Sequence, residues 1–184
     1  FFDNGLDGIA DANAEIFTGM DENGIAVLNH DNPYFDRLKA QAQKQGIKTI
    51  YGFGEDEGAD IRLIDCTLQA SSSRITADVM GARVKYKLQI PGKHIVLNSL
   101  GALGVVRAAG GDLDAAIEAL QNAEPVSGRG NRHHVTIAAG MPPVVIIDES
   151  YNANPASMQA AFRVFEMVTP QNGGRRLAVL GDML

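Results

Sequence analysis

Apolar positions change their period several times along the chain, and each change marks an element. Gly24 to Asn29 is a short apolar run bounded by turn-forming residues, which predicts a buried strand. Asp31-Asn32-Pro33 then opens a predicted helix running to Gln45, with Pro33 in the first turn, where its missing N–H has no intrahelical partner to lose. Gly46 ends that helix, and Ile47 to Tyr51 reads as the next strand. This strand–helix–strand order predicts a parallel pair. Further on the period shortens. Val84, Tyr86, Leu88 and Ile90 alternate with Arg83, Lys85, Lys87 and Gln89, so an antiparallel ribbon is expected within residues 61–90, with Met80-Gly81 as a turn.

Pro91-Gly92 breaks the ribbon and the spacing becomes helical, with Val96, Leu100, Leu103 and Val106 on one face of a helix that starts at Lys93. Gly110-Gly111 stops it. Asp112 can cap the following helix, whose Leu113, Ile117 and Leu120 share a face. Pro125-Val126-Ser127-Gly128 is the stretch richest in breakers, and it divides the chain into an expected domain over 1–124 and the start of another over 125–184. Beyond it, Val144 to Ile147 is a β-branched run of the kind covered on both faces. Asn154 is placed as the N-cap of a helix with Pro155 at its first position and Met158, Phe162 and Phe165 along one face. Asn172-Gly173-Gly174 should end that helix, and Leu177 to Leu180 should form a second buried strand ending in Gly181-Asp182. The fold class is α/β.

Composition narrows the function. Of 184 residues, 45% are hydrophobic and 21% charged, as in a globular protein with a substantial core. No window holds eighteen consecutive apolar residues, so no membrane partner is expected, and the first residues lack a signal-peptide pattern. With a net charge of −6 and basic residues scattered, apart from Arg175-Arg176, nucleic acid is not an expected partner. Cys66 is the single cysteine, so no internal disulfide can form, and a reducing, cytoplasmic compartment is the simplest reading. Nothing beside it reads as a base, which argues against a nucleophile. His133 and His134 would point to opposite faces of a strand, with no Cys or third His near, so no metal site is read there. The chain opens on Phe1 without an initiator Met and stops just after a predicted strand, so it is expected to be an internal piece.

In open α/β sheets, ligands sit beyond the carboxyl ends of strands. Asp148, Glu149, Tyr151, Asn152, Asn154 and Asp182 all fall at such ends. Two readings stay open. The cluster can bind a ligand, or Asn152 and Asn154 can shape the loop and cap the helix while Asp148 caps a turn. No Gly-x-x-x-x-Gly-Lys-Ser/Thr loop occurs, and Gly52, Gly54 and Gly58 lie in an acidic stretch without a lysine, which reads as a surface loop.

The run Ile147-Asp148-Glu149-Ser150-Tyr151-Asn152-Ala153-Asn154-Pro155, followed by Ser157-Met158, resembles a hallmark of the Mur ligase family, in its D-alanyl-D-alanine-adding members. Further segments are similar in the same order: Gly8-Ile9-Ala10 through Glu15-Ile16-Phe17, Ala26 to Pro33, Pro91-Gly92-Lys93-His94 with Asn98, Pro125 to Arg129, and Leu180 to Met183. The resemblance covers essentially the whole chain, although only the Ser-Tyr-Asn-Ala-Asn-Pro loop is specific by itself. It implies the latter part of a central ATPase domain followed by the start of a Rossmann-like C-terminal domain. It further implies ATP and Mg2+, with the phosphate loop and main metal ligands upstream of Phe1.

The implied substrates are UDP-N-acetylmuramoyl-tripeptide and D-alanyl-D-alanine, joined through an acyl phosphate by an enzyme expected to be monomeric. The isolated chain is expected to be inactive. By the same resemblance, Asn98 would contact adenine and Arg129 the nucleotide phosphates. Asp148 or Glu149, with Glu149 favoured by register, would bind the ribose or position the nucleotide. Tyr151, Asn152 and Asn154 would line the cleft near the acceptor dipeptide or acyl phosphate. Two positions depart from the family pattern. Asn13 stands where a carbamylated lysine is usual, which puts a second metal in doubt, and Ile95 replaces a usual Asn. Other readings are a sibling Mur or polyglutamate-type ligase, and a non-catalytic nucleotide-binding α/β module.

Overall fold

The computed structural model describes residues 4–170 and 173–182; residues 1–3, Asn172 and Met183, which figure in the readings above, lie outside them. Helix α1 (Gly5–Ala14) runs into a 3-10 turn (Glu15–Gly19), followed by β1 (Ile25–Asn29), α2 (Phe35–Lys44) and β2 (Thr49–Gly54). β1 and β2 are parallel, from Ile25↔Thr49 to Asn29↔Phe53, as the pattern predicts. Ala14, Phe17, Ala26, Ala42 and Ile47 form the small core between the helices and this pair. α2 starts later than expected. The Asn32 side chain accepts the Tyr34 N–H at 2.8 Å and the Asn32 carbonyl accepts the Phe35 N–H at 2.9 Å, so Pro33 is held in a tight turn before the helix.

Gly52 and Gly54 are not in a surface loop. Both are buried in β2, because the side chains that follow β1 lie across them. A Cβ on Gly52 would stand 2.8 Å from the His30 ring, and one on Gly54 would stand 2.4 Å from the Asp31 carboxylate. Glycine serves close packing here, where the acidic composition reads as exposure.

The ribbon is a three-stranded meander of β3 (Ile61–Gln69), β4 (Ser72–Val79) and β5 (Ala82–Leu88), antiparallel throughout. Met80 and Gly81, with φ of +51° and +84°, form the two-residue turn between β4 and β5. β3 also pairs in parallel with β2, but only through Phe53↔Ile61 and Gly54↔Arg62. No helical crossover is needed, because β3 begins beside the end of β2 and runs on past it. A bulge between Leu63 and Asp65 shifts the register of β3 against β4. The order of the sheet is β1-β2-β3-β4-β5.

α3 (Lys93–Ala108) packs on this sheet. Its Val96, Leu100 and Leu103 are fully buried among Ile61, Ile75, Val79, Val84, Tyr86 and Leu88. Gly101 and Gly104 let it close in, since a Cβ at either would meet Phe53 at 3.2 Å or Ile61 at 3.0 Å. Ser99 Oγ donates to the Val96 carbonyl at 2.7 Å, which leaves the Tyr86 hydroxyl, also 2.7 Å away, to donate to Ser99. α4 (Leu113–Gln121) follows, and Asp112 caps it as expected, accepting the N–H groups of Asp114 and Ala115.

In the last part, β6 (Asn131–Val135) and β7 (Val144–Asp148) form an antiparallel pair, followed by α5 (Pro155–Glu166). β7 is not covered on both faces: Val144, Val145 and Ile146 are exposed. α5 turns Val164 inward, where it lies against Gly92, rather than Phe162, which stays exposed. The helix ends at Glu166, ahead of the glycine pair, because Thr169 precedes Pro170 and the proline disfavours helical backbone before it. Leu177 to Leu180 forms no strand and is exposed at Leu177, Val179 and Leu180. An apolar run becomes a strand only when it has a ladder partner, and among the described residues β7 pairs with β6 alone.

Gly54→Ala should destabilise the chain by about 1–3 kcal/mol through collision with Asp31, read as a lower urea midpoint with an unchanged slope. Burial pushes the Tyr86 hydroxyl up to about 12. Its folded form therefore keeps a proton that the unfolded chain releases near 10, and this contribution is present below pH 10 and lost as pH rises toward 12. Tyr86→Phe should flatten that part of the alkaline stability curve in denaturation series between pH 9 and pH 12.

Candidate functional site

Two glycines shape the best-built polar cluster. The Arg129 N–H bonds the Val126 carbonyl at 2.9 Å, closing a turn in which Gly128 has φ of +75°. The Tyr151 N–H then donates to the Gly128 carbonyl at 3.1 Å, and the Gly130 N–H to the Asp148 carbonyl at 2.9 Å. A Cβ on Gly128 would lie 2.9 Å from the Tyr151 nitrogen, so the two backbones can approach this closely only at glycine. The result places the Arg129 guanidinium 4.4 Å from the centroid of the Tyr151 ring, a cation–π stack that orients the cation without neutralising it.

The two carboxylates beside this stack differ in state. Asp148 Oδ1 accepts the Ser150 N–H at 3.1 Å. Hydrogen bonds from the Ser150 side chain and then its backbone hold the Asp148 carboxyl below the usual range. Glu149 is pushed up, first by the crowding of its carboxylate against the loop and then by the charge of Asp148. That crowding includes Gly130, where a Cβ would stand 3.3 Å from Glu149 Oε1, although much of the Glu149 side chain still meets solvent.

Asn154 caps α5 in a reciprocal capping box, its Oδ1 accepting the Ser157 N–H at 2.8 Å while Ser157 Oγ accepts the Asn154 N–H at 3.0 Å. Asn154 is thus a helix cap, and the backbone pairing of Gly128 and Gly130 with Tyr151 and Asp148 brings Arg129 onto the Tyr151 ring. Asn152 and Tyr151 are exposed. Asp182 is exposed and follows no strand.

Asn98 lies apart from that cluster. It stands on α3 at the wall of a groove of about 180 Å³ lined mainly by Leu88, Ile90, Ile95, Ala102 and Leu120. Sequence reading missed that the groove's other side is α4, which its apolar face signals only once it is known to pack beside α3. Gly92, read from the sequence as a breaker, and His94, read only within the resembling segment, meet in the fold: the His94 ring lies over Gly92, where a Cβ would be 2.9 Å from it. Among the described residues no group of three His, Cys, Asp or Glu side chains could hold a metal ion. Asn13 is exposed near the end of α1.

The profile of the Mur ligase middle domain matches residues 1–106. The chain belongs to the Mur ligase family. It is 32% identical over 97% of its length to the UDP-N-acetylmuramoyl-tripeptide–D-alanyl-D-alanine ligase of Escherichia coli K12, and it covers 37% of that relative. Crystal structure I of MurF from Acinetobacter baumannii superposes with a TM-score of 0.78 at 27% identity, over 90% of this chain and 34% of the other. The MurF ligase of Thermotoga maritima, solved in complex with ADP, gives 0.69 at 26% identity, over 88% and 35%. This Mur ligase segment thus spans about a third of the length of the relatives it matches. No helix among its described residues is long and apolar enough to cross a membrane.

Asn154→Ala removes the cap and should cost α5 about 1 kcal/mol. Amide hydrogen exchange in the first two turns of α5 should quicken by roughly fivefold, with exchange in α3 unchanged.

Proposed function

We propose that this chain is the nucleotide-handling segment of an ATP-dependent ligase that joins D-alanyl-D-alanine to UDP-N-acetylmuramoyl-tripeptide. The observation that carries the reading is the oriented Arg129–Tyr151 stack beside Asp148 and Glu149, in a chain alike over almost its whole length to enzymes of that activity. On this reading residues 1–124 belong to the central domain and 125–184 open a Rossmann-like C-terminal domain, in a cytoplasmic, monomeric enzyme.

The groove suits an adenine: its walls are apolar, as a flat ring needs, and Asn98 offers the amide donor and acceptor that a purine edge requires. Arg129, already stacked and always charged, presents a fixed guanidinium to phosphate oxygens and to the charge that grows on a transferred phosphoryl group. Asp148 spends its carboxylate on Ser150, which favours Glu149 for the ribose hydroxyls. Tyr151, Asn152 and the amide nitrogen of Asn154 line the approach of the acceptor amine. Mg2+ would shield phosphate charge when bound. Among the described residues no group of three His, Cys, Asp or Glu side chains could hold it, and the resemblance implies main ligands upstream of Phe1. The amine of D-alanyl-D-alanine attacks the acyl phosphate formed on the tripeptide carboxylate, an amide bond forms, and phosphate leaves.

The test is phosphate release by the enzyme at the full length of its relatives, supplied with ATP, the tripeptide nucleotide and D-alanyl-D-alanine. Turnover should require all three, and Arg129→Ala should lower kcat by about 10²–10³-fold. The 184-residue chain alone should show none. Turnover with single amino acids but not with the dipeptide would assign a sibling ligase instead, and absence of any ATP turnover would leave a binding module.

A further inference from the structure

The first turn of α3, which sets one wall of the groove, has no side-chain cap of its own: Gly92 precedes it with φ of +120°. An external tether holds it. Lys93 Nζ lies 2.7 Å from Glu55 Oε1, and Glu55 belongs to the link between β2 and β3. That link is pinned in turn by one carboxylate at the end of β1. Asp31 Oδ1 and Oδ2 each stand 2.9 Å from the Glu55 nitrogen, and Oδ1 stands 3.1 Å from that of Asp56. The far end of the link is fixed by Asp60, whose Oδ2 accepts the Gly52 N–H at 2.8 Å. A continuous series of polar contacts therefore runs from β1 to Lys93. Two residues after Lys93 comes Ile95, and one turn further Asn98, both in the groove wall.

We propose that Asp31 and Glu55 are positioning residues: they set the first turn of α3 against the groove and so tune adenine-nucleotide affinity without touching the nucleotide. Neither side chain lines the groove. The inference rests on the groove being the adenine site. Glu55 and Lys93 are both partly exposed, so their pair is a tether of modest strength whose loss shifts affinity rather than abolishing it. Asp31 gathers backbone donors from two residues. Its amide counterpart would keep one acceptor but turn an NH2 toward the Glu55 N–H, which loosens the near end of the link.

The experiment measures binding of a fluorescent ADP analogue, with KM for ATP and kcat, in the full-length ligase. Glu55→Gln should weaken ADP and raise KM for ATP by roughly three- to fivefold while kcat stays within about twofold. Asp31→Asn should weaken ADP by about tenfold. Glu55→Lys and Lys93→Glu should each weaken it, and the double exchange Glu55→Lys with Lys93→Glu should restore it, which a merely structural role would not produce. Thermal melts check that each variant is folded, and the exchange pair decides the matter if Asp31→Asn is not. Wild-type affinity in both Glu55→Gln and Lys93→Glu, in an enzyme that binds ADP, overturns the proposal. An enzyme that binds ADP but does not use D-alanyl-D-alanine loses the substrate assigned above, while the same ADP series still decides the positioning role. An enzyme that binds no ADP overturns both.

Discussion

Close packing of α3 across the five-stranded sheet is the constraint on which the other features rest. Its Val96, Leu100 and Leu103 are fully buried, and each such side chain contributes about 1.5–3 kcal/mol of transfer free energy. The approach depends as much on what is missing. Gly101 and Gly104 bring the helix backbone onto Phe53 of β2 and onto Ile61 of β3 and Val27 of β1. One helix therefore touches both the parallel pair and the meander, and its flank forms the groove with α4 and the end of β5. A helix held farther out by ordinary side chains would leave the groove without a floor.

The polar cluster at Gly128–Gly130 is organised differently. It has almost no buried apolar support, and backbone geometry does the positioning. Two left-handed glycines and two interstrand-type hydrogen bonds bring Arg129 over Tyr151. The ring orients the guanidinium, which makes no ion pair among the described residues. The groove is apolar and packed, whereas the cluster is polar and exposed. The two regions thus differ in burial as well as in chemistry.

Much of this was legible in the residues. The helical face of α3, the capping Asp112 and Asn154, the Met80-Gly81 turn and the alternation of β5 are local signals, and local structure follows them. The Ser150–Pro155 loop carried the family resemblance. What could not be read depended on distant partners. Gly52 and Gly54 resemble a loop until His30 and Asp31 are known to lie across them. Val144 to Ile147 and Leu177 to Leu180 have the composition of doubly covered strands, but composition does not supply a neighbour, and the first is half-bare while the second is unpaired. Pro33 fits a first helical turn equally well in sequence terms, and the Asn32 side chain decides against it. The Lys93–Glu55 contact spans 38 positions and has no periodicity to betray it.

The two-pair ladder between β2 and β3 carries one more consequence. A sheet normally transmits force sideways through a row of hydrogen bonds, but here that row is nearly interrupted. Mechanically the sheet has a crease, with the parallel pair on one side and the meander on the other, and α3 lies across it like a splint. Bending at the crease would be resisted by side-chain packing under the helix together with the Asp31 and Asp60 contacts of the link, so the two parts of the sheet are held to each other by side chains more than by their ladder.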